Sequence, residues 1–315
     1  MKEIGGYFGL EHFKNNEYYS DLIAVNSGRN GLLYILKAKN IKKIYIPYFL
    51  CDAISRLCKR ENYNYEYYKI DNDFLPVFDK KLGEGEFIYI VNYYGQLGKT
   101  KIVQLKEKYK NIILDNVQAF FDKPIANIDT IYSCRKFFGV SDGGYVSTNT
   151  CIKESLLQDS SMERMMHILG RYEQTASEFF SYSQENERTF YNLELKKMSK
   201  ITHNVLGAIA YESVRLQREN NFKVLHTELG EKNKLNIKIP VGPYAYPLYC
   251  ENATEIRKVL VKKKIYIATL WPNVLEMNDC HLEKDFALNI LPLAIDQRYD
   301  ENDMQYLVRE IKGFI

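Results

Sequence analysis

The sequence predicts an α/β fold in which helices cover a mostly parallel sheet, followed by a smaller α+β unit. Three observations predict it. Short apolar runs of strand length recur through the first half of the chain. Segments with helical spacing lie between them, and this alternation stops in the middle of the chain. Strands that alternate with helices are the pattern of a parallel sheet, because each crossover needs a covering element. On this reading residues 1–220 form the larger domain and 221–315 the smaller one.

The strand candidates are "DLIAV", "KIYIPYF", "EFIYIVNYY", "NIILDN", "TIYSC" and "YVSTN", rich in Ile, Val and Tyr and bounded by polar residues. Helical spacing covers Gly31–Ala38, Cys51–Arg60 and Thr100–Tyr109. Ile152–Leu169 also reads as a helix, whereas Tyr172–Tyr191 is aromatic and polar with no clear period. A long helical pattern runs from Met198 to about Leu229 and ends before Gly230. After it come "IPVGPYAYPLYC", a helix near Ala253–Lys264, "IYIATLWP", and a last helix from about Asn302, which together make the α+β tail.

The 315 residues are 46% hydrophobic and 26% charged, enough to bury a large core. With 43 basic against 40 acidic side chains, the formal charge is only +3. That balance argues against a dedicated nucleic-acid surface, and the run Lys262–Lys264 reads as a solvated helix end. The six cysteines show no disulfide framework and no C-x-x-C pair, so they read as reduced thiols of a cytoplasmic protein. No apolar run reaches the ~20 residues of a membrane span. The five histidines lack metal-ligand spacing, so no metal site is expected.

Ligands of open α/β sheets bind beyond the carboxyl ends of the strands. The residues just past each strand are therefore the candidates for a site. After "DLIAV" comes "NSGRNG", a tight turn opening a helix, whose amides suit a phosphate. After "NIIL" comes Asp115, able to pair with a buried cationic ring nitrogen. After "TIY" comes Ser133, and three residues on Lys136, between Cys134 and the pair Phe137–Phe138. Desolvation by those two phenylalanines would lower the amine's pKa and make it a nucleophile towards carbonyls. Each residue also has a plainer reading: Ser27 as an N-cap, Asp115 as a cap of the next segment, Lys136 as a lysine snorkelling to solvent. Together they are the parts that pyridoxal phosphate needs, each placed after a strand.

These motifs resemble the fold type I pyridoxal-phosphate enzymes, and within them the DegT/DnrJ/StrS sugar aminotransferases. The carriers are "NSGRNGLLYIL", "IYIPYF", "NYYGQLG", "ILDNVQAF" and "SCRKFFGVSDGGYV". The tail segments "YAYPLYC…IRKVLVKKKIYIATLWP" and "LPLAIDQRY" match the family's small domain. The resemblance implies a Schiff-base lysine at Lys136, Asp115 at the pyridine nitrogen and Gln118 at the phenolic oxygen. It places Ser133, Ser27, Gly28 and Arg29 around the phosphate, the last two mainly through backbone amides. It further implies a homodimer, and transfer of an amino group from glutamate to a keto sugar, nucleotide-linked. The family's dehydratases replace the lysine, so Lys136 favours transamination.

The chain departs from the family in three places. The aromatic that stacks on the pyridine ring falls at Cys51, leaving Phe49 as its nearest substitute. The serine lies three residues before the lysine rather than five. The Asn-x-Arg motif that reaches the neighbouring subunit's phosphate falls near Leu195 and Lys197 and is missing. These departures keep open a pyridoxal-phosphate enzyme acting on an amino acid or other non-sugar substrate, with Arg135 or Arg298 as a carboxylate clamp. A non-catalytic protein retaining the fold is the other alternative. Trp271, Tyr93 and Tyr94 read as structural, and His203 and His226 have no evident partner.

Overall fold

The computed structural model describes residues 4–315. Strands β1 (Ile23–Val25), β2 (Lys43–Pro47), β3 (Asn64–Ile70), β4 (Pro76–Val77), β5 (Glu86–Val91), β6 (Ile112–Asp115), β7 (Asp129–Ser133) and β8 (Gly144–Ser147) form one sheet. Its order is β1-β8-β7-β6-β5-β2-β3-β4. Strands β3, β2, β5, β6 and β7 run parallel. Strand β8 runs antiparallel to β7, and β1 antiparallel to β8, so β1 points the same way as β7. Every residue of β6 and β7 is buried, as the continuous apolar runs require of strands covered on both faces.

The order reverses between β2 and β5, which makes that carboxyl edge the topological switch point. Six strand ends open onto the same edge: Val25, Pro47, Ile70, Val91, Asp115 and Ser133. Helices α1 (Gly28–Ala38), α2 (Asp52–Arg60) and α3 (Lys99–Tyr109) connect the strands, as their apolar spacing predicts. Ser27 caps α1 by accepting from the Asn30 amide at 3.2 Å. The expected mostly parallel sheet with surrounding helices is the fold observed.

The middle of the chain differs from its sequence pattern. Residues 152–161 are not helical; Lys197 N donates to Leu157 O, and Asp159 N donates to Lys197 O. That cross-chain pairing outweighs the apolar spacing, and helix α4 begins only at Met166 and ends at Glu173. The stretch without a period contains α5 (Phe180–Thr189). The long helix is two: α6 (Lys200–Leu206) and α7 (Tyr211–Leu229), separated at Gly207–Ala210.

The tail holds β9 (Tyr246–Tyr249), α8 (Ala253–Lys262), α9 (His281–Asn289), β10 (Ile290–Leu293) and α10 (Glu301–Lys312). Strands β9 and β10 form a separate two-stranded antiparallel sheet, while "IYIATLWP" forms no strand. A reciprocal capping box between Asp300 and Asp303 starts α10. Helix α7 packs along α10, and the expected boundary at residue 220 falls inside α7.

Candidate active site

The turn after β1 is built by backbone contact. Asn26 O accepts from Gly143 N at 2.9 Å, and the Asn26 side-chain amide donates to Asp159 Oδ2 and Glu194 O. A Cβ on Gly144 would lie 2.7 Å from Tyr132 O and 2.9 Å from Gly28 N, so only glycine lets β7, β8 and this turn meet. On Gly28 a Cβ would lie 3.4 Å from the Ser133 Cβ, which brings the two phosphate-turn candidates side by side. The Ser27 hydroxyl is committed as the α1 cap, so the plainer reading of its side chain is what the structure shows. The amides of Gly28 and Arg29 are first-turn donors with no intrahelical acceptor.

Asp115 is 6% exposed at the end of β6. Its Oδ2 accepts from the Tyr89 hydroxyl at 2.6 Å and its Oδ1 from the Val117 amide at 2.7 Å. Burial pushes its carboxyl up to about 6, against the opposing pull of those two donors and the Lys136 charge. Two oxygens with two donors leave lone pairs for a third. Gln118, also buried, accepts the Tyr94 amide on Oε1 at 2.8 Å. Neither the Gln118 amide nitrogen nor the Ser133 hydroxyl has a hydrogen-bond partner among the described residues.

Lys136 follows β7 on a short 3-10 turn, Cys134–Lys136. It is exposed, which corrects the expectation that Phe137 and Phe138 desolvate it. Those rings turn away into a separate aromatic core with Phe120, Phe121 and Tyr145. The Lys136 amine has no ion pair or hydrogen bond among the described residues, yet its charge acts on Asp115, Cys51 and Glu187. The turn itself is pinned from behind: Phe137 O accepts from Arg218 Nη2 at 3.2 Å and from Gln297 Nε2 at 2.8 Å. Cys134 packs beneath Gly143 (φ +107°), where a Cβ would lie 3.3 Å from its Sγ.

Cys51 sits just before α2, open to solvent. Its surroundings push the thiol pKa up, while Lys136 and Arg29 pull it down. Phe49 does not substitute for a ring-stacking aromatic. It is fully buried against Phe74, Tyr93, Trp271 and Phe286, and its carbonyl accepts the Tyr93 hydroxyl at 2.6 Å. Tyr93 and Tyr94 are both buried, and the Tyr93 hydroxyl is committed to Phe49 O. Arg298 forks onto Asp296 at 2.6 and 2.8 Å and anchors the turn before α10. His203 does have a partner, Glu17, at 2.6 Å from Nδ1, and that hydrogen bond raises its pKa. His226 Nδ1 lies 3.5 Å from the Tyr246 hydroxyl.

Sequence reasoning named Arg135 and Arg29 separately but missed that Glu187 and Phe190 gather them beside Lys136. Arg135 pairs with Glu187 of α5 and lies 4.1 Å from the centre of the buried Phe190 ring. Arg29 donates to Phe190 O at 2.7 Å, with its guanidinium 6.0 Å from the same ring. Burial lowers the Arg29 pKa. Burial alone would raise the Glu187 carboxyl, but Arg135, Lys136 and Arg29 hold it below the usual range. The carboxylate and the ring lie in the aperiodic stretch, where spacing gave no signal.

Two cavities, of 550 and 420 Å³, lie around Leu97, Gly98, Lys99 and Lys238 and contain none of these residues. Cavity size therefore does not locate these groups: Asp115, Gln118 and Ser133 are buried at the carboxyl edge of the sheet, and Lys136 is exposed just past it. Among the described residues Ser133, Gln118, Asp115 and Lys136 each keep an unused donor, acceptor or amine, the Lys136 charge acts on Asp115, and Ser133 adjoins Gly28. With the Gly28 turn they match the needs of a phosphate, a phenolic oxygen, a ring nitrogen and an aldehyde.

No family model and no curated protein matches the chain. Solved structures do match. A DegT DnrJ EryC1 StrS aminotransferase from Brucella abortus superposes with a TM-score of 0.64 at 16% identity, covering 93% of this chain and 85% of that one. NtdA from Bacillus subtilis with bound cofactor PMP gives 0.62 at 14%, covering 92% and 73%. DesI in the presence of its TDP-sugar product gives 0.62 at 10%, covering 92% and 79%. At these identities the likeness is one of fold.

Proposed function

We propose that the chain is a member of the DegT/DnrJ/StrS group and a pyridoxal-phosphate-dependent aminotransferase that moves an amino group from glutamate to a keto sugar, nucleotide-linked. The observation that carries this reading is the convergence of Lys136, Asp115, Gln118 and Ser133 with the Ser27–Arg29 turn on one sheet edge. The fold neighbours with bound PMP and with a TDP-sugar product support the cofactor and the substrate class.

When bound, the cofactor supplies an electron sink for charge that develops on the carbon of an attached amine. Lys136 Nζ would hold the cofactor at its aldehyde carbon and, as a free amine, would carry a proton between the donor's α-carbon and that cofactor carbon, which the transferred nitrogen separates. Asp115, ionised and buried, would keep the ring nitrogen protonated, and Tyr89 and Val117 fix the direction of its carboxylate. Gln118 would donate to the phenolic oxygen. Ser133 and the amides of Gly28 and Arg29 would hold the phosphate. Cys51 would stand where an aromatic usually stacks, giving that ring face a small polarizable contact.

A homodimer fits the exposed apolar side chains of Ile4, Tyr7, Phe8 and Leu10, which find no cover among the described residues. A cytoplasmic location agrees with the reduced cysteines. The boundary at 220 separates the cofactor-binding part from a small domain that shares α7. The amino-acid-substrate alternative loses Arg298 as a clamp, since Asp296 already occupies it.

The test is an absorbance scan of purified protein with added pyridoxal phosphate. A visible band, bleached by glutamate and lost in Lys136→Ala, is the expected result. A chain that stays colourless and takes up no cofactor refutes the reading.

A further inference from the structure

Arg135 is left unexplained by the functional reading. It immediately precedes Lys136, two residues beyond Ser133, yet its guanidinium is turned towards Phe190 and α5. A flat cation 4.1 Å from the centre of a buried ring is held in one orientation at low entropic cost. The same ring lies near Arg29, whose own helix turn touches Ser133. Two guanidiniums thus flank one short arc of backbone amides and a hydroxyl without a partner. The carboxylate that acts on both, among the described residues, is Glu187, on a side chain that is 56% exposed. The Arg135 side chain is only 19% exposed, so the solvent-facing Glu187 alone leaves a largely covered cation weakly compensated, and its placement calls for another account. Two like charges this close repel, and Glu187 offsets them only in part, which suits a site awaiting an oxyanion.

We infer that Arg135, assisted by Arg29, is a phosphate-binding residue for the cofactor, and that Glu187 is an internal counter-ion which the phosphate displaces. The inference rests on the cofactor reading above and adds to it a charge-neutralising cation supplied by the chain itself. It makes the Glu187–Arg135 pair a competitor of the ligand rather than a support for it. A dianionic phosphate beside Arg135 repels the Glu187 carboxylate, which swings into the solvent it already faces. The two members of one ion pair then have opposite effects on binding, an outcome that a merely structural pair does not produce.

Equilibrium binding of pyridoxal phosphate, of unphosphorylated pyridoxal and of competing inorganic phosphate to the full chain tests this. Arg135→Gln is expected to weaken pyridoxal phosphate by about 10- to 100-fold, the loss of one charge-assisted contact. Arg135→Lys should recover part of that loss. Glu187→Gln, an exposed change that leaves the fold intact by its melting curve, should tighten pyridoxal phosphate and lower the inorganic phosphate needed to compete. Pyridoxal without the phosphate should respond to neither. Equal weakening by Arg135→Gln and Glu187→Gln would overturn the inference. So would unchanged cofactor binding in Arg135→Gln with a raised KM for glutamate, which assigns the arginine to the donor's carboxylate. Wild-type chain that takes up no pyridoxal phosphate refutes the parent reading and this one with it. Uptake by the wild type with no change in Arg135→Gln refutes this one alone.

Discussion

Asp115 is the costliest residue of the site. A carboxyl pushed up to about 6 in the folded chain, from about 3.9 when unfolded, is protonated more readily folded than unfolded. Its share of stability is therefore intact below pH ~4 and lost as pH rises through about 6, a cost of roughly 3 kcal/mol at neutral pH. The equally raised Asp122 titrates in the same window, so the comparison must be with a variant. Between pH 4 and 7, the unfolding free energy of cofactor-free Asp115→Asn should gain roughly 3 kcal/mol relative to wild type, read by urea titration at each pH. A pH-independent difference would mean that burial does not penalise the carboxylate. On the proposed reading the same variant loses on the order of 100-fold in turnover, because a neutral amide cannot hold the ring nitrogen protonated. The strand-end residues were legible because each comes directly after an apolar run. Glu187 was not, because an exposed acid on a helix of weak period looks like any solvated side chain. The exposure of Lys136 was misread because both phenylalanines that follow its 3-10 turn pack into the aromatic core around Phe120, away from the amine.

Among the elements, the Asp142–Gly144 turn joins the most structure. Asp142, fully buried, accepts from the Ser199 amide at 2.9 Å, the Ser199 hydroxyl at 2.8 Å and the Thr202 hydroxyl, so it fastens the start of α6 to the end of the lysine loop. Gly144→Ala drives a methyl into backbone atoms of Tyr132, Ser27 and Gly28. We expect it to cost at least about 3 kcal/mol by chemical denaturation and to abolish cofactor uptake. Gly139→Ala, where the nearest atom would be 3.7 Å away, serves as the control and should change neither by much. The Asp-Gly-Gly spelling was readable as a turn, but its grip on α6 was not, because Ser199 lies 57 residues further on. Strand β3 escaped the apolar-run criterion for a different reason. Its sequence NYEYYKI carries Glu66 and Lys69 on a strand flanked on one side only by the two-residue β4, so it never needed a continuous apolar run. The break between α6 and α7 was written in Gly207 and overlooked because the apolar spacing resumes beyond it.

Across the whole molecule, Arg218 on α7 links the lysine loop to the tail. It is 1% exposed and donates to Gln297 Oε1 at 2.8 Å, Pro243 O at 3.0 Å and Phe137 O at 3.2 Å. Burial lowers its pKa to about 10. Arg218→Met, similar in length, should cost about 3 kcal/mol in a denaturant melt and speed loss of cofactor, since Phe137 O then keeps only Gln297. Unchanged cofactor retention would show that the loop needs no support from the tail. The sheet and the order of its ligand-facing ends could be read from sequence because they depend on local runs. Contacts such as Arg218 to Phe137 could not, because nothing in either neighbourhood names the other. The position of β1 has a consequence for synthesis. The turn at Ser27–Arg29 is held by Gly143, Glu194 and Lys196, the last of which leaves the ribosome 170 residues after Asn26. At ~5–20 residues per second that is a wait of up to roughly 10–30 s during which the turn lacks its last supports, although β7 and β8, on which α1 packs, are complete by Ser147. A nascent chain stalled before Lys196 would therefore hold the sheet but not a finished phosphate turn, so cofactor capture belongs to roughly the last 40% of translation or later.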